Sequence, residues 1–521
     1  MPPRPTRLLL VAAVVVASVV SVWRRDREPA ATAPAEVAPA SLPDPERPPN
    51  FLIIDIDTLT ADRVGSLRDG VSITPVIDGL ASRGARFSEA FSQAGWTLPA
   101  VSSVLTGSLP VALNMEDGGV SWRGAGVRDL PEILGLYGYT TIAFWGNTLP
   151  GPLSDVMFGT FGSVSYRKTK QEWPTTELIR WLATSPKEPF FAMVHEIDLH
   201  DPSAMGEIAY PYDTPDSRAP TPSYERLFHN LAARVGEDQA REVVYARYEG
   251  VLHVYDAALG RVLAELQRDG RDARTVVVVT SNHGEDFFDH AIVDHGLLYD
   301  TTLRVPLVVM DPATPTPGRV VDTLVQSVDL APTVLARAGI PADRTMDGRS
   351  MMSLLGHDAV AYEERPLFSL SERCHVSLRH GGRKLILRPA KDPPQRRWWK
   401  PAGGENAVRI PLTDFVACFG PADAPLPTCP ATGAGENAGD PLVELYDLTV
   451  DPGERKNLAL ERPEEASRML RSLLVLLQER AEAAQAAPSS RIVPEAEQKI
   501  REQGYWGMMN PGAGDDGTPE R

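Results

Sequence analysis

A chain of 521 residues with 43% hydrophobic content can bury a large core, and it suits one principal domain with additions. Its net charge of −17 excludes a broad basic nucleic-acid face, and any anionic substrate must be met by local cations because the overall field repels it. Three cysteines, Cys374, Cys418 and Cys429, allow one disulfide at most and show no zinc-type spacing. Cys418 and Cys429 bracket a Pro-rich loop and either pair in an oxidising compartment or stay free thiols.

Leu8 to Val22, LLLVAAVVVASVVSV, follows Arg4 and Arg7 in the layout of a signal peptide, with a candidate cleavage site at Val15-Val16-Ala17. Arg24, Arg25 and Arg27 follow closely, so an uncleaved anchor is the competing reading. The run falls short of the roughly 20 apolar residues that a bilayer needs, although Trp23 can extend it at the interface. Residues 1–27 are read as signal peptide or signal anchor, and 28–49 as an Ala/Pro-rich spacer. Both readings put the body outside the cytoplasm, either secreted or periplasmic, or tethered by one N-terminal helix.

The folded part starts at Asn50 with an apolar strand, Phe51 to Ile56, that ends in Asp57-Thr58. Thr74 caps a predicted helix to Gly84, with Pro75 at its first position. Thr97 to Gly107 turns at Pro99 and then becomes helical. A short helix from Leu130 to Gly138 precedes a strand from Tyr139 to Phe144, and Leu178 to Ala183 is helical. Pro189 to Val194 is a buried strand followed by His195, Asp198 and His200. Glu237 to Gln267 reads as a long helix. Val276 to Val279 are too apolar for an exposed strand and too β-branched for a comfortable helix, so they predict a central parallel strand. A strand from Val305 to Met310 and a helix from Ser327 to Ala338, bent near Pro332, follow.

This alternation predicts an α/β fold, a doubly wound and mostly parallel sheet over residues 50–355. Composition shifts past Gly356, where strands at Lys384 to Leu387 and Leu442 to Tyr446 and an amphipathic helix at Glu465 to Gln478 predict a smaller α+β subdomain over 356–483. Residues 484–521 read as a loosely ordered tail.

Three buried strands each end in Asp or His, and parallel topology brings such ends to one sheet edge, where α/β proteins bind ligands. Asp57 offers a carboxylate and Asn282 a carbonyl oxygen, a set that favours calcium or magnesium; His283 beside them admits manganese or zinc. Asp55 is either a further metal ligand or a buried carboxylate bonded to backbone. Thr97 is either an N-cap or a hydroxyl nucleophile activated by a neighbouring metal. His200 and His295 are candidates to hold the nonbridging oxygens and protonate a leaving group; His253 and His290 read as structural.

PNFLIIDIDTLTADRVG, TLPAVSSVLTG, FFAMVHEIDLHDP, VVVVTSNHGEDFFDH, DHGLLYDTTLRVPLVV, SVDLAPTVLARAGIP and ELYDLTVDPGERKNLA occur in this order from Asn50 to about Leu458. Together they resemble the sulfatase family of the alkaline-phosphatase superfamily. The resemblance implies an alkaline-phosphatase-like α/β domain, one divalent metal, a four-stranded C-terminal subdomain and esterase chemistry on sulfate or phosphate. Carried across, Asp57, Asn282 and His283 fall on metal positions, Thr97 on the nucleophile, and His200 and His295 on the residues that hold the ester oxygens. His195 and Asn147 fall among substrate-binding positions, Gly146-Asn147 standing where a lysine is common.

The chain departs from the family where the formylglycine-forming Cys or Ser and its arginine are expected, with Thr97 and Val101 there instead. Thr58 replaces a second aspartate, and Asn282 replaces a late one. Relatives that transfer phospholipid head groups use a threonine, so a lipid-modifying transferase is a further reading; it predicts a hydrophobic groove near Trp96 and Trp145. Two main readings follow: a metal-dependent hydrolase or transferase acting on an anionic ester of a glycan, lipid head group or small molecule, and a catalytically silent fold that binds an anionic glycan or lipid.

Overall fold

The computed structural model describes residues 47–110, 127–146, 157–167, 172–200, 211–213, 224–290, 293–343, 346–357, 361–371, 375–388 and 443–486. The signal or anchor segment, almost all of the spacer, Asn147, the three cysteines and residues 487–521 lie outside them. Among the described residues no helix is long and apolar enough to cross a membrane.

Strand β1 (Asn50–Ile56) leads to helix α1 (Pro75–Arg83), strand β2 (Ala85–Phe87) and helix α2 (Thr97–Thr106). Next come α3 (Leu130–Leu136), β3 (Thr140–Trp145), β4 (Ser163–Tyr166), α4 (Pro174–Ala183) and β5 (Phe190–Glu196). Helices α5 (Tyr224–Val235) and α6 (Glu237–Arg268) precede β6 (Thr275–Thr280), β7 (Leu307–Met310), β8 (Arg319–Val321) and α7 (Leu330–Arg337).

The eight strands form one sheet in the order β8-β2-β7-β6-β1-β5-β3-β4. Only β7 runs against its neighbours. The strands that the sequence marked as most buried, β6, β1 and β5, are adjacent and parallel at its centre, with Ile53 opposite both Met193 and Val278. Period-two alternation divides β1 between two cores. Phe51 and Ile53 pack with α2, α3 and α7 on one face, and Leu52, Ile54 and Ile56 pack with α1, α4, α5 and α6 on the other. Both faces are therefore covered, which explains strands that read as unbroken hydrophobic runs.

Strands β9 (Leu367–Leu370), β10 (Val376–His380), β11 (Arg383–Leu387) and β12 (Val443–Asp447) form an antiparallel sheet in sequence order. Helix α8 (Pro463–Ala486) buries Leu470, Leu473, Leu474 and Leu477 and runs three residues into the stretch expected to be tail. Edge strand β9 continues onto the principal domain, where Leu370 pairs with Ala94.

Three local expectations are corrected. Thr74 does not cap α1 with its side chain; its hydroxyl accepts the Gly65 N–H at 2.9 Å. The free amides of α1 at Val76 and Ile77 donate instead to Asp256 of α6, at 2.8 and 2.9 Å. Helix α2 starts at Thr97, before Pro99 rather than after it. Proline is harmless there because first-turn N–H groups have no intrahelical partner. The bend expected at Pro332 is a 3-10 turn, Ser327–Asp329, ahead of α7.

Asp311, at the end of β7, ties α7 to the chain beyond it through Arg337 Nε at 2.5 Å and His357 Nε2 at 3.2 Å. Burial opposes the charged carboxyl, but His357 and Arg337 outweigh it and hold it down to about 2. A folded pKa below the unfolded one stabilises above the unfolded value of 3.8 and is lost as pH falls through about 2. Asp311→Asn should cost roughly 2 kcal/mol at neutral pH. In urea unfolding, the gap to wild type should close near pH 2.

Candidate active site

The site is built at the carboxyl edge of the three central strands. Asp57 follows β1, His195 lies near the end of β5, and His283 lies just past β6. The turn after β1 is locked: Thr58 has a φ of 61°, its hydroxyl donates to the Asp57 carbonyl at 2.7 Å, and its own carbonyl accepts from Tyr248 Oη at 2.8 Å. The Leu59 N–H donates to Ser281 Oγ at 3.1 Å, and that hydroxyl donates to the His283 carbonyl at 2.5 Å, so the turns after β1 and β6 hold each other.

Thr97 begins α2 with its hydroxyl between the two turns, 3.4 Å from both Asp57 Oδ2 and His283 Nε2. His283 Nε2 lies 3.2 Å from Asp57 Oδ1. All three side chains are buried. His283 Nδ1 faces the Gly284 carbonyl at 2.9 Å, which only accepts, so that nitrogen carries the proton. Burial pushes the His283 imidazole down to about 3, so Nε2 presents a lone pair to the Asp57 carboxylate. Two acceptors face each other with Asp57 Oδ1 lacking a hydrogen-bond partner. A cation or a proton between them would relieve that conflict.

Behind Asp57, His195 Nδ1 donates to Asp55 Oδ2 at 2.7 Å, and its Nε2 lies 3.6 Å from Asp57 Oδ2. Trp145 stacks on the ring at 4.7 Å and 17°. Burial opposes a charge on His195, but the bond to Asp55 and the neighbouring Asp57 carboxylate outweigh it and push the imidazole up to about 10. For Asp57 burial is again opposed, here by the surrounding imidazoles, and its carboxyl stays well below the usual range. Burial raises Asp55, which also accepts the Asn282 backbone N–H.

The rim is made of histidines. His283 and His295 stack at 4.7 Å and 22°, and His200 meets His295 edge-on at 4.7 Å. His295 Nδ1 reaches Glu285 Oε2 at 3.3 Å.

The structure thus gathers Asp57, Thr97, His195, His200, His283 and His295. It turns two expected metal ligands elsewhere: Asp55 faces His195, and Asn282 Oδ1 accepts the His283 N–H at 2.9 Å. Among the described residues no group of three or more His, Cys, Asp or Glu could hold a metal ion. Asp57 and His283 supply two such groups, with the Thr97 hydroxyl as a third donor. Trp96 and Trp145, beside which the transferase reading expects a hydrophobic groove, are both buried. His253 and His290 bond the Ile73 carbonyl and Asp286 and serve structure. Glu285, part of the Asn-His-Gly-Glu strand end, bonds His295, and Trp145, expected beside a groove, instead stacks on His195.

His195 has a folded pKa above its unfolded one. Its stabilisation is complete below 6.5 and is lost as pH rises through about 10. Wild type should therefore lose stability over that window more steeply than His195→Gln, measured by thermal unfolding at stepped pH; parallel curves would contradict the charged ring.

A family model for sulfatases matches residues 49–340, more than half of the chain. The chain is 25% identical over 456 residues to a Delta 4,5-hexuronate-2-O-sulfatase of Bacteroides thetaiotaomicron, covering 79% of this chain and 84% of that protein. Its fold is similar to that of a phosphonate monoester hydrolase of Agrobacterium radiobacter, with a TM-score of 0.57, 21% identity, and 83% and 96% of the two chains covered. A 2-O GAG sulfatase gives a TM-score of 0.59 at 21% identity, over 87% and 96%. This chain belongs to the sulfatase family, sulfuric-ester hydrolases of the alkaline-phosphatase superfamily.

Proposed function

We propose that this protein is a metal-dependent hydrolase of sulfate or phosphate esters, working outside the cytoplasmic membrane, with Thr97 as its nucleophile. One observation supports this above the others: the Thr97 hydroxyl lies 3.4 Å from both Asp57 and His283, at the start of a ten-residue helix. Helix N-termini favour anions, so the position suits an ester oxyanion as well as the hydroxyl.

Members of this superfamily use a divalent metal, and Asp57 Oδ1, His283 Nε2 and Thr97 Oγ1 are the atoms that would hold it here. Bound there, it would supply a Lewis acid that lowers the hydroxyl pKa and offsets charge on the ester. One carboxylate with an imidazole is a poor set for calcium or magnesium, which take oxygen ligands, and suits manganese or zinc better. Thr97 directs its proton at Asp57 Oδ2, which leaves lone pairs free for attack on sulfur or phosphorus. The ester S–O or P–O bond then breaks, and His295 or His200 gives the departing oxygen its proton. Water attacks the resulting Thr97 ester, or a second alcohol does so in a transferase. Before attack the His195 imidazolium holds Asp57 ionised, ready to take the Thr97 proton, which returns to the threonine oxygen when its ester is cleaved.

The substrate is an anionic ester of a glycan, lipid head group or small molecule. The hexuronate sulfatase relative favours the first class by its name. The silent, binding-only reading draws support from Asn282, whose amide oxygen bonds the His283 backbone N–H.

The test uses aryl sulfates, phosphate monoesters and diesters, and phosphonate monoesters. Wild type should turn over at least one, and Thr97→Ala should lose at least about a thousandfold in kcat. Equal rates, or no turnover by wild type with any metal, would overturn the hydrolase. Chelation should also lower the melting temperature. Manganese or zinc should restore it, whereas calcium at equal concentration should not.

A further inference from the structure

A buried ion cluster outside the site joins the C-terminal sheet to the Asp300 and Glu89 segments of the principal domain. Lys384 of β11 is fully buried, and its Nζ lies 2.7 Å from Asp300 Oδ1 and 2.8 Å from Glu454 Oε1. Glu454 also accepts the Asp300 backbone N–H at 2.5 Å. Arg379 of β10 pairs with Asp300 and with Glu89, over the Phe91 ring at 4.1 Å. Burial opposes a charged Asp300, but Lys384 and Arg379 outweigh it and keep it ionised.

Asp300 opens a one-turn helix, Asp300–Leu303, that touches the site directly. The Thr302 carbonyl accepts the Gly284 N–H at 2.7 Å, one residue past His283. Five residues upstream of Asp300 is His295, and the next residue, Gly296, donates to the Gly95 carbonyl at 2.7 Å, two residues ahead of Thr97. The Gly95 segment is held from the other side by β9, where the Leu370 N–H donates to Gln93 at 2.9 Å. One anchored turn therefore fixes the distances between nucleophile, His283 and His295.

We propose that Lys384 is a positioning residue: from the C-terminal sheet its ammonium pins Asp300, and through that turn it sets Thr97, His283 and His295 relative to one another. The kinetic part rests on the hydrolase reading; the structural part does not.

The test is hydrogen–deuterium exchange on the full chain, well below the melting temperature. Lys384→Met is compared with wild type and with Leu473→Ala, a control that weakens packing of α8 against the same sheet. The Gly284 and Gly296 amides should exchange at least about tenfold faster in Lys384→Met and stay at the wild-type rate in the control. With any substrate that wild type turns over, kcat should fall about tenfold while KM stays within about twofold. Should Lys384→Met fail to fold, Asp300→Asn is read in the same way. Wild-type exchange at both glycines in the variant, or equal acceleration in the control, overturns the proposal. A wild type without turnover sinks the hydrolase instead, and exchange alone then decides the role of Lys384.

Discussion

Three parallel strands side by side impose the constraint on which this molecule depends. Backbone pairing of β1 with β5 and β6 sets Asp55 opposite both His195 and Thr280, with no help from the side chains. The hydrophobic runs that drive those strands inward thus also deliver Asp57, His195 and His283 to one edge. Burying six valine, isoleucine or leucine side chains contributes on the order of 10 kcal/mol, far more than any polar contact at the site. The core therefore holds the polar groups in an arrangement they would not choose for themselves, with a carboxylate oxygen 3.2 Å from an imidazole lone pair.

Charge is handled unusually for a site meant for an anionic ester. The described centre has one carboxylate at the nucleophile, Asp57, and a second, Asp55, taken up by His195. Of the imidazoles around the pair, His195 is charged and His283 neutral, and the difference comes from their partners. His195 faces carboxylates with both ring nitrogens, whereas His283 gives its proton to a backbone carbonyl and is fully buried. The same side chain thus plays a cation in one place and a lone-pair donor 3.2 Å away from the same aspartate in the other.

Much of this was legible in the sequence. FLIIDI, PFFAMV and TVVVVT announce buried strands because apolar side chains fill them almost without a break, Asp55 being the one charged residue inside, and a doubly wound sheet must align their ends. His200 and His283 stand just past such runs, whereas Thr97 and His295 were singled out by the family resemblance. Contacts between distant segments were not legible. Nothing local in Thr74 shows that Asp256, 180 residues from Val76, caps its helix. Nothing in Asn282 shows that its amide turns back onto the chain, since a carbonyl oxygen suits backbone and metal equally. The C-terminal strands were visible as strands, but Lys384 and Asp300 are 84 residues apart, and their pairing follows from topology alone.

Gly95 shows how tightly the pieces interlock. A β-carbon there would sit 2.5 Å from the Leu297 carbonyl oxygen, so the backbones meet where no side chain fits. The two loops can change only as a matched set. Anyone transplanting the threonine turn onto a new scaffold, or shuffling homologous blocks at this seam, must carry the histidine-bearing loop along with it. Natural variation crossing that seam should arise by joint replacement rather than by drift in either half.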